Sequence, residues 1–298
     1  FNLKDQEAAV IEMGMNHLQE MSRLSMIARP DIACITNVGT AHIGELGSRE
    51  NILKAKLEII NGMKEGSTLI INQDNDMLQT VELPHLNVVR VGKGKEASIQ
   101  ASHIVLEETK SSFEVEYQGK KEIIEVPVQG EHNISNALIA IAVGIELNIS
   151  LEDIKKGIQE FKLTKNRMDI LEKNHKTVID GTYNASVDSM KSSIDVLANY
   201  KKRKVAILAD MLELGDYSQQ LHEEVGSYVA SKGIDILVCV GKEAKYIYQK
   251  ARESMKDVYY FESNQEVIAR LDELLKEDDV ILVKGSHSMN LKEVVEKI

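Results

Sequence analysis

Glu12, in the segment VIEMGMNH, and His42, in NVGTAHIG, each follow a short apolar run of the kind that forms a buried strand. In open α/β sheets, ligands collect at the carboxyl ends of strands, so polar residues at such positions are the first place to look for chemistry. A carboxylate and an imidazole on neighbouring strand ends suit a divalent cation held mainly by substrate phosphates, as Mg²⁺ usually is. A capping Glu12 and a hydrogen-bonded loop His42 explain the same residues without a metal, and the pair alone leaves both readings open. Lys56 is flanked at helical spacing by Ile52, Leu53, Ile59 and Ile60. An ammonium on such a face is disfavoured by desolvation, and the neutral amine can take up carbon dioxide as a carbamate, an anionic oxygen ligand. A lysine stem covering apolar surface is the plainer alternative.

Further along, GEHNISNALIAIA places His132, Asn133 and Asn136 at a helix start. Paired amide donors and acceptors suit the edge of an adenine, although N-capping accounts for Asn133 alone. In DGTYNAS, Asp180 ends a strand and is followed by Tyr183 and Asn184. The stretch GKGKEAS at 92–98 fails the spacing of a phosphate loop, and no such loop occurs anywhere in the chain.

The elements needed to position these residues alternate strand and helix. Ala8–Met13 reads as a buried strand, Glu20–Ala28 as a helix, Asp31–Val38 as a strand, Ser48–Met63 as a helix and Ser67–Asn72 as a strand. That rhythm implies a parallel sheet. From 87 to 128 the pattern turns β-rich, with runs at Ile99–Glu107, Ser112–Tyr117 and Glu122–Val128 and a tight turn at 117–120. Helices follow at Ile134–Glu146 and Leu151–Phe161, the second capped by Ser150. After residue 165 five strands alternate with five helices. The expected architecture is therefore α/β, with a central parallel-sheet domain and a β-rich edge over 1–165, then a doubly wound Rossmann-like domain over 166–298.

The net charge of −11 argues against a nucleic-acid partner, and no run is long and apolar enough to span a bilayer. Cys34 and Cys239 lie in apolar strand-like runs, which reads as free thiols in a reducing cytoplasm. The chain opens at Phe1, and its first residues read like the end of a helix entering a strand, the expectation for a piece of a longer protein.

Taken in order, VIEMGMNH (10–17), ITNVGTAHIGELGSRENILKAKLEI (35–59), GEHNISNALIAIAVG (130–144), NRMDIL (166–171), VIDGTYNASVDSM (178–190), ILADMLELGDYS (207–218) and LVKGSHSM (282–289) closely resemble the Mur ligase family over essentially the whole chain. The resemblance implies an ATP-dependent amide ligase of peptidoglycan synthesis. Its member-specific blocks imply UDP-N-acetylmuramoyl-tripeptide and D-alanyl-D-alanine as substrates, joined through an acyl phosphate by a monomer. Carried over residue by residue, Glu12 and His42 match magnesium ligands, and Lys56 matches a lysine that is carbamylated and holds a second magnesium. His132 lies beside Asn133 and Asn136, which match the adenine-binding pair. Arg167 and Asp180 match residues that reach ATP when the domains close. Asn16 and His17 fall near the UDP-linked peptide, and Tyr183, Asn184 and Asp188 near the dipeptide. The family's UDP-binding domain and phosphate loop precede the region where Phe1 begins, so this chain alone is expected to be inactive. Gly181, Val187, Ala209 and His287 stand where the family usually has an acid, a proline, a glycine and an arginine. A related amino-acid ligase and a non-catalytic nucleotide-binding scaffold are the alternatives.

Overall fold

The computed structural model describes residues 6–117, 119–162 and 168–298. Among the described residues, twelve strands fall into two sheets of six. The first is built in chain order from β1 (Ile32–Ile35), β2 (Thr68–Asn72), β3 (Asn87–Gly92), β4 (Ile99–Leu106), β5 (Ser111–Tyr117) and β6 (Lys120–Val126). β1 to β4 run parallel and β4 to β6 antiparallel. The β-rich edge expected from the sequence is thus a meander continuing the parallel sheet. β4 carries the transition, pairing parallel with β3 and antiparallel with β5; β3 itself is a strand that the periodicity alone does not single out.

Helix Glu131–Glu146 covers this sheet with Ile134, Leu138 and Ile141, spaced to lie on one helix face and all buried. Burying each such side chain contributes roughly 1.5–3 kcal/mol relative to leaving it in water. Ser150 caps helix Leu151–Gln159 by accepting from the Asp153 amide, as its position suggests.

The second sheet comprises β7 (Asp169–Lys173), β8 (Lys176–Gly181), β9 (Lys204–Ala209), β10 (Ile236–Val240), β11 (Val258–Phe261) and β12 (Val280–Lys284), in the order β11-β10-β9-β12-β8-β7. Five strands are parallel, and β7 adds an antiparallel edge to the expected five. The last strand inserts between β8 and β9, the reversal of strand order that opens a crevice at the carboxyl ends. β10 and β12 are buried at every position, as strands covered on both faces must be. Residues 264–274 form two short helices, Asn264–Ile268 and Leu271–Leu274.

One expectation fails outright. Residues 8–13 form no strand; Val10 is 97% exposed and Ile11 57%. Among the described residues no strand of either sheet takes up this segment's backbone hydrogen bonds, and apolar sequence without a ladder partner does not hold an extended strand. Cys34 and Cys239 are free thiols, and burial pushes the Cys34 thiol up to about 11. Among the described residues no helix is long and apolar enough to cross a membrane.

Candidate functional site between two sets of strand ends

The carboxyl ends of β1 and β2 face those of β8 and β12 across a cavity of about 670 Å³. The first sheet contributes Thr36, Asn37 and Asn72, and helix Glu131–Glu146 contributes His132 and Asn136. The facing wall is made by Gly181, Tyr183, Asn184, Ser186, Asp188 and Lys284. A second hollow of about 650 Å³ shares Asn37, Asn72 and Asp188 with the first. Arg49 borders it, holding Asp76 with both guanidinium nitrogens at 2.6 and 2.5 Å and donating to the Val38 carbonyl. That guanidinium keeps the Asp76 carboxyl below the usual range.

Two close approaches bring the walls together. A Cβ on Gly44 would lie 2.6 Å from the Gly215 nitrogen, and one on Gly39 would lie 2.0 Å from the Asp188 carboxylate. Glycine at both positions therefore lets loop 37–47 meet the second wall. The Gly44 amide then donates to the Glu213 carbonyl at 3.0 Å, the Tyr217 hydroxyl donates to the Gly47 carbonyl, and the Thr40 amide reaches Asp188 at 3.3 Å. His42, in a left-handed conformation at the start of helix Ile43–Leu46, places Nδ1 2.7 Å from the Glu213 carboxylate.

The second wall is held from beneath by buried polar groups. Asp210 accepts from the Glu243 and Ala244 amides at the start of helix Ala244–Ala251. His222 accepts from the Met211 amide through Nε2, while its Nδ1 lies 2.7 Å from the Ser218 carbonyl. That pattern requires the neutral ring with its proton on Nδ1, and burial holds its pKa below the ordinary value. Asp180 accepts from the Thr182 amide and hydroxyl, so its side chain shapes the loop leaving β8. Lys284, 6% exposed, donates to the Asn184 carbonyl at 2.8 Å. Burial lowers its pKa to about 8, opposed by the charge of Asp180. Burial and the nearby Lys284 charge also keep His132 below its ordinary pKa, against the pull of Asp195.

Of the residues singled out by sequence, the cavity wall gathers His132, Asn136, Tyr183, Asn184 and Asp188. Asn133 is buried in the first turn, its side-chain amide donating to the Gln129 carbonyl, while Gly130 is the N-cap residue without a side-chain cap, so the capping alternative does not hold. Glu12, Asn16 and His17 are exposed, and the backbone amides of Asn16 and His17 donate to Glu20. Glu12 is not delivered by a strand end, because the strand expected there does not form. Arg167 lies outside the described residues. Lys56 is half-buried on helix Arg49–Leu57, and desolvation lowers its pKa.

These donors do not form a magnesium site as they stand. Among the described residues no three His, Cys, Asp or Glu side chains come together, and the His42 imidazole is engaged by Glu213. Sequence reasoning missed Glu213 and Lys284. The strand-end rule could have found Lys284, the one charged residue closing the apolar strand VILVK; Glu213 had no such signal.

The model of the Mur ligase middle domain matches residues 1–144, and that of the Mur ligase glutamate ligase domain matches residues 166–287. The UDP-N-acetylmuramoyl-tripeptide–D-alanyl-D-alanine ligase of Bacillus subtilis is 36% identical over 298 residues, covering 98% of this chain and 64% of that protein. The Escherichia coli protein of the same name is 33% identical, covering 96% and 64%. Among solved structures, MurF from Acinetobacter baumannii superposes with a TM-score of 0.89 at 30% identity, over 96% of this chain and 63% of that one. MurF from Thermotoga maritima, in complex with ADP, gives 0.83 at 24% identity over 95% and 64%, a likeness of fold. The chain spans about 64% of the length of these curated relatives.

Proposed function

The chain belongs to the Mur ligase family, and on that premise we propose that it is the part of an ATP-dependent amide ligase that joins D-alanyl-D-alanine to UDP-N-acetylmuramoyl-tripeptide. The names of the Bacillus subtilis and Escherichia coli relatives support this substrate pair, and the ADP complex of the Thermotoga maritima structure supports the nucleotide. The observation that carries the proposal is the cavity in which the strand ends of the two sheets face each other. A ligase must bring a nucleotide, an acid and an amine into one water-poor space, and two walls on separate sheets can do so by closing.

In the proposed reaction ATP phosphorylates the tripeptide's terminal carboxylate. The dipeptide amine attacks the acyl phosphate, and phosphate leaves from a tetrahedral intermediate. His132 and Asn136 are assigned to the nucleotide side, with Asn133 fixing the backbone beneath them. Asp180 fixes the loop carrying Tyr183 and Asn184, which with Asp188 are assigned to the dipeptide. Asn16 and His17 are assigned to the UDP-linked peptide, and Arg167 and Asp180 to the nucleotide on closure. Magnesium, when bound, would neutralise phosphate charge. Glu12, His42 and a carbamylated Lys56 are its assigned ligands by family likeness, and the lowered pKa of Lys56 favours the neutral amine that carbamylation needs. Among the described residues these side chains do not gather into a three-donor site, and Mg²⁺ held largely by substrate phosphates would not need one.

The test is phosphate release by the protein isolated from its source, given ATP, the UDP-linked tripeptide and a panel of amine acceptors. Release that requires D-alanyl-D-alanine is expected. Release driven by a different amino acid alone, or none with any acceptor, contradicts the proposal.

A further inference from the structure

Lys284 is the buried cation of the cavity wall, and its bonding is incomplete. An ammonium has three donors. One reaches the Asn184 carbonyl at 2.8 Å, and the Gly181 carbonyl stands at 3.5 Å, too far for more than a weak contact. No carboxylate lies within bonding distance of Nζ among the described residues; Asp180, the nearest acid to influence it, has one carboxylate oxygen engaged by Thr182. A buried charge without a bonded counter-ion is costly, and an anion arriving from the cavity would relieve that cost.

The surroundings narrow the anion. The same wall carries Asp188 and Asp195, the latter also paired with Lys232, while Lys191, the other lysine of the lining, is paired with Glu224, so beside Lys284 a group with several negative charges is less well matched than one with a single charge. Ser186, Ser189 and Ser192 add neutral hydroxyls. A singly charged carboxylate on a small zwitterion, whose ammonium faces the acidic residues, matches this lining.

We propose that Lys284 anchors the free carboxylate of the amine acceptor, and so selects an acceptor that ends in a carboxylate. The inference rests on the ligase reading and names the residue that recognises one of its substrates. Lys284 also binds the Asn184 carbonyl, so the loop bearing Tyr183 and Asn184 is set by the same side chain that receives the acceptor.

The experiment is steady-state ligation by the protein isolated from its source and by its Lys284→Met variant, each with D-alanyl-D-alanine and with the dipeptide amide. The wild type should show a KM for the amide about ten- to a hundredfold higher than for the free dipeptide, the loss of a charge-assisted hydrogen bond. Lys284→Met should raise the KM for the free dipeptide by a similar factor, leave the KM for ATP within about twofold, and no longer distinguish dipeptide from amide. Wild-type enzyme that uses both acceptors equally overturns the proposal, and this comparison needs no variant to fold. A variant that still discriminates against the amide, or that instead raises the KM for ATP, overturns it too and assigns Lys284 to phosphate. Wild-type protein that ligates no dipeptide contradicts the ligase reading itself.

Discussion

The two walls of the cleft are built in opposite ways. The second wall stands on a sheet whose central strands are buried at nearly every position, and its loops are fixed by Asp210, His222, Asp180, Lys284 and Ser286, all buried. Ser286 illustrates the density of this support, accepting from the Leu212 amide while its own amide donates to the Asp210 carbonyl. On the first side, Glu12, Asn16 and His17 lie in an exposed segment that joins no sheet, whereas His42 sits in loop 37–47, ordered by contact with the other wall, and Lys56 is half-buried on helix Arg49–Leu57. Preorganised polar groups can meet charge without reorganising, so the second wall is the prepared half of the site.

The largest effect that sharpens this comparison comes from the cores. Ile207→Ala, in the middle of the buried β9, should cost roughly 2–5 kcal/mol, whereas Val10→Ala should stay within about 0.5 kcal/mol. Denaturant midpoints of the two variants measure the contrast, and similar losses would break it. Next, Asp210→Ala leaves the Glu243 and Ala244 amides without their acceptor and should cost about 1–3 kcal/mol by the same measurement.

A smaller, pH-dependent effect belongs to His222. Its folded pKa is depressed by burial, so the unfolded chain binds its proton more readily. The stability this histidine contributes is therefore complete above about pH 6.5 and is lost as pH falls from there through the depressed folded value. Unfolding free energies measured across that range should decline on acidification in the wild type and decline less in His222→Gln. An identical slope in both would remove His222 from the support of the wall. Smallest of all, Glu12→Gln should change stability by less than about 0.5 kcal/mol, since Glu12 is exposed; a large loss would mean that the segment is packed after all.

The sequence was readable where periodicity and burial agree. Helix Glu20–Ala28 begins and ends at the residues its pattern indicates. β7 was not foreseen because DILEK alternates half-buried with exposed positions at a sheet edge, leaving little apolar signal. The run AVIEM at 9–13 has the composition of a strand, but composition cannot show whether a ladder partner stands beside it. The same limit applies to the site. Asp180, Tyr183 and Asn184 follow a recognisable strand, and His132 and Asn136 open a recognisable helix. The approach of Glu213 to His42, 171 positions apart, depends on how two separately folded sheets meet.

The most direct test of the ligase account follows oxygen. The UDP-linked tripeptide, labelled with heavy oxygen in its terminal carboxylate, is ligated to D-alanyl-D-alanine by the protein isolated from its source, and the products are separated by mass. The account requires one labelled atom in the inorganic phosphate, with ADP as the nucleotide product. Label in AMP, or phosphate free of label, would contradict an acyl phosphate formed in this cleft.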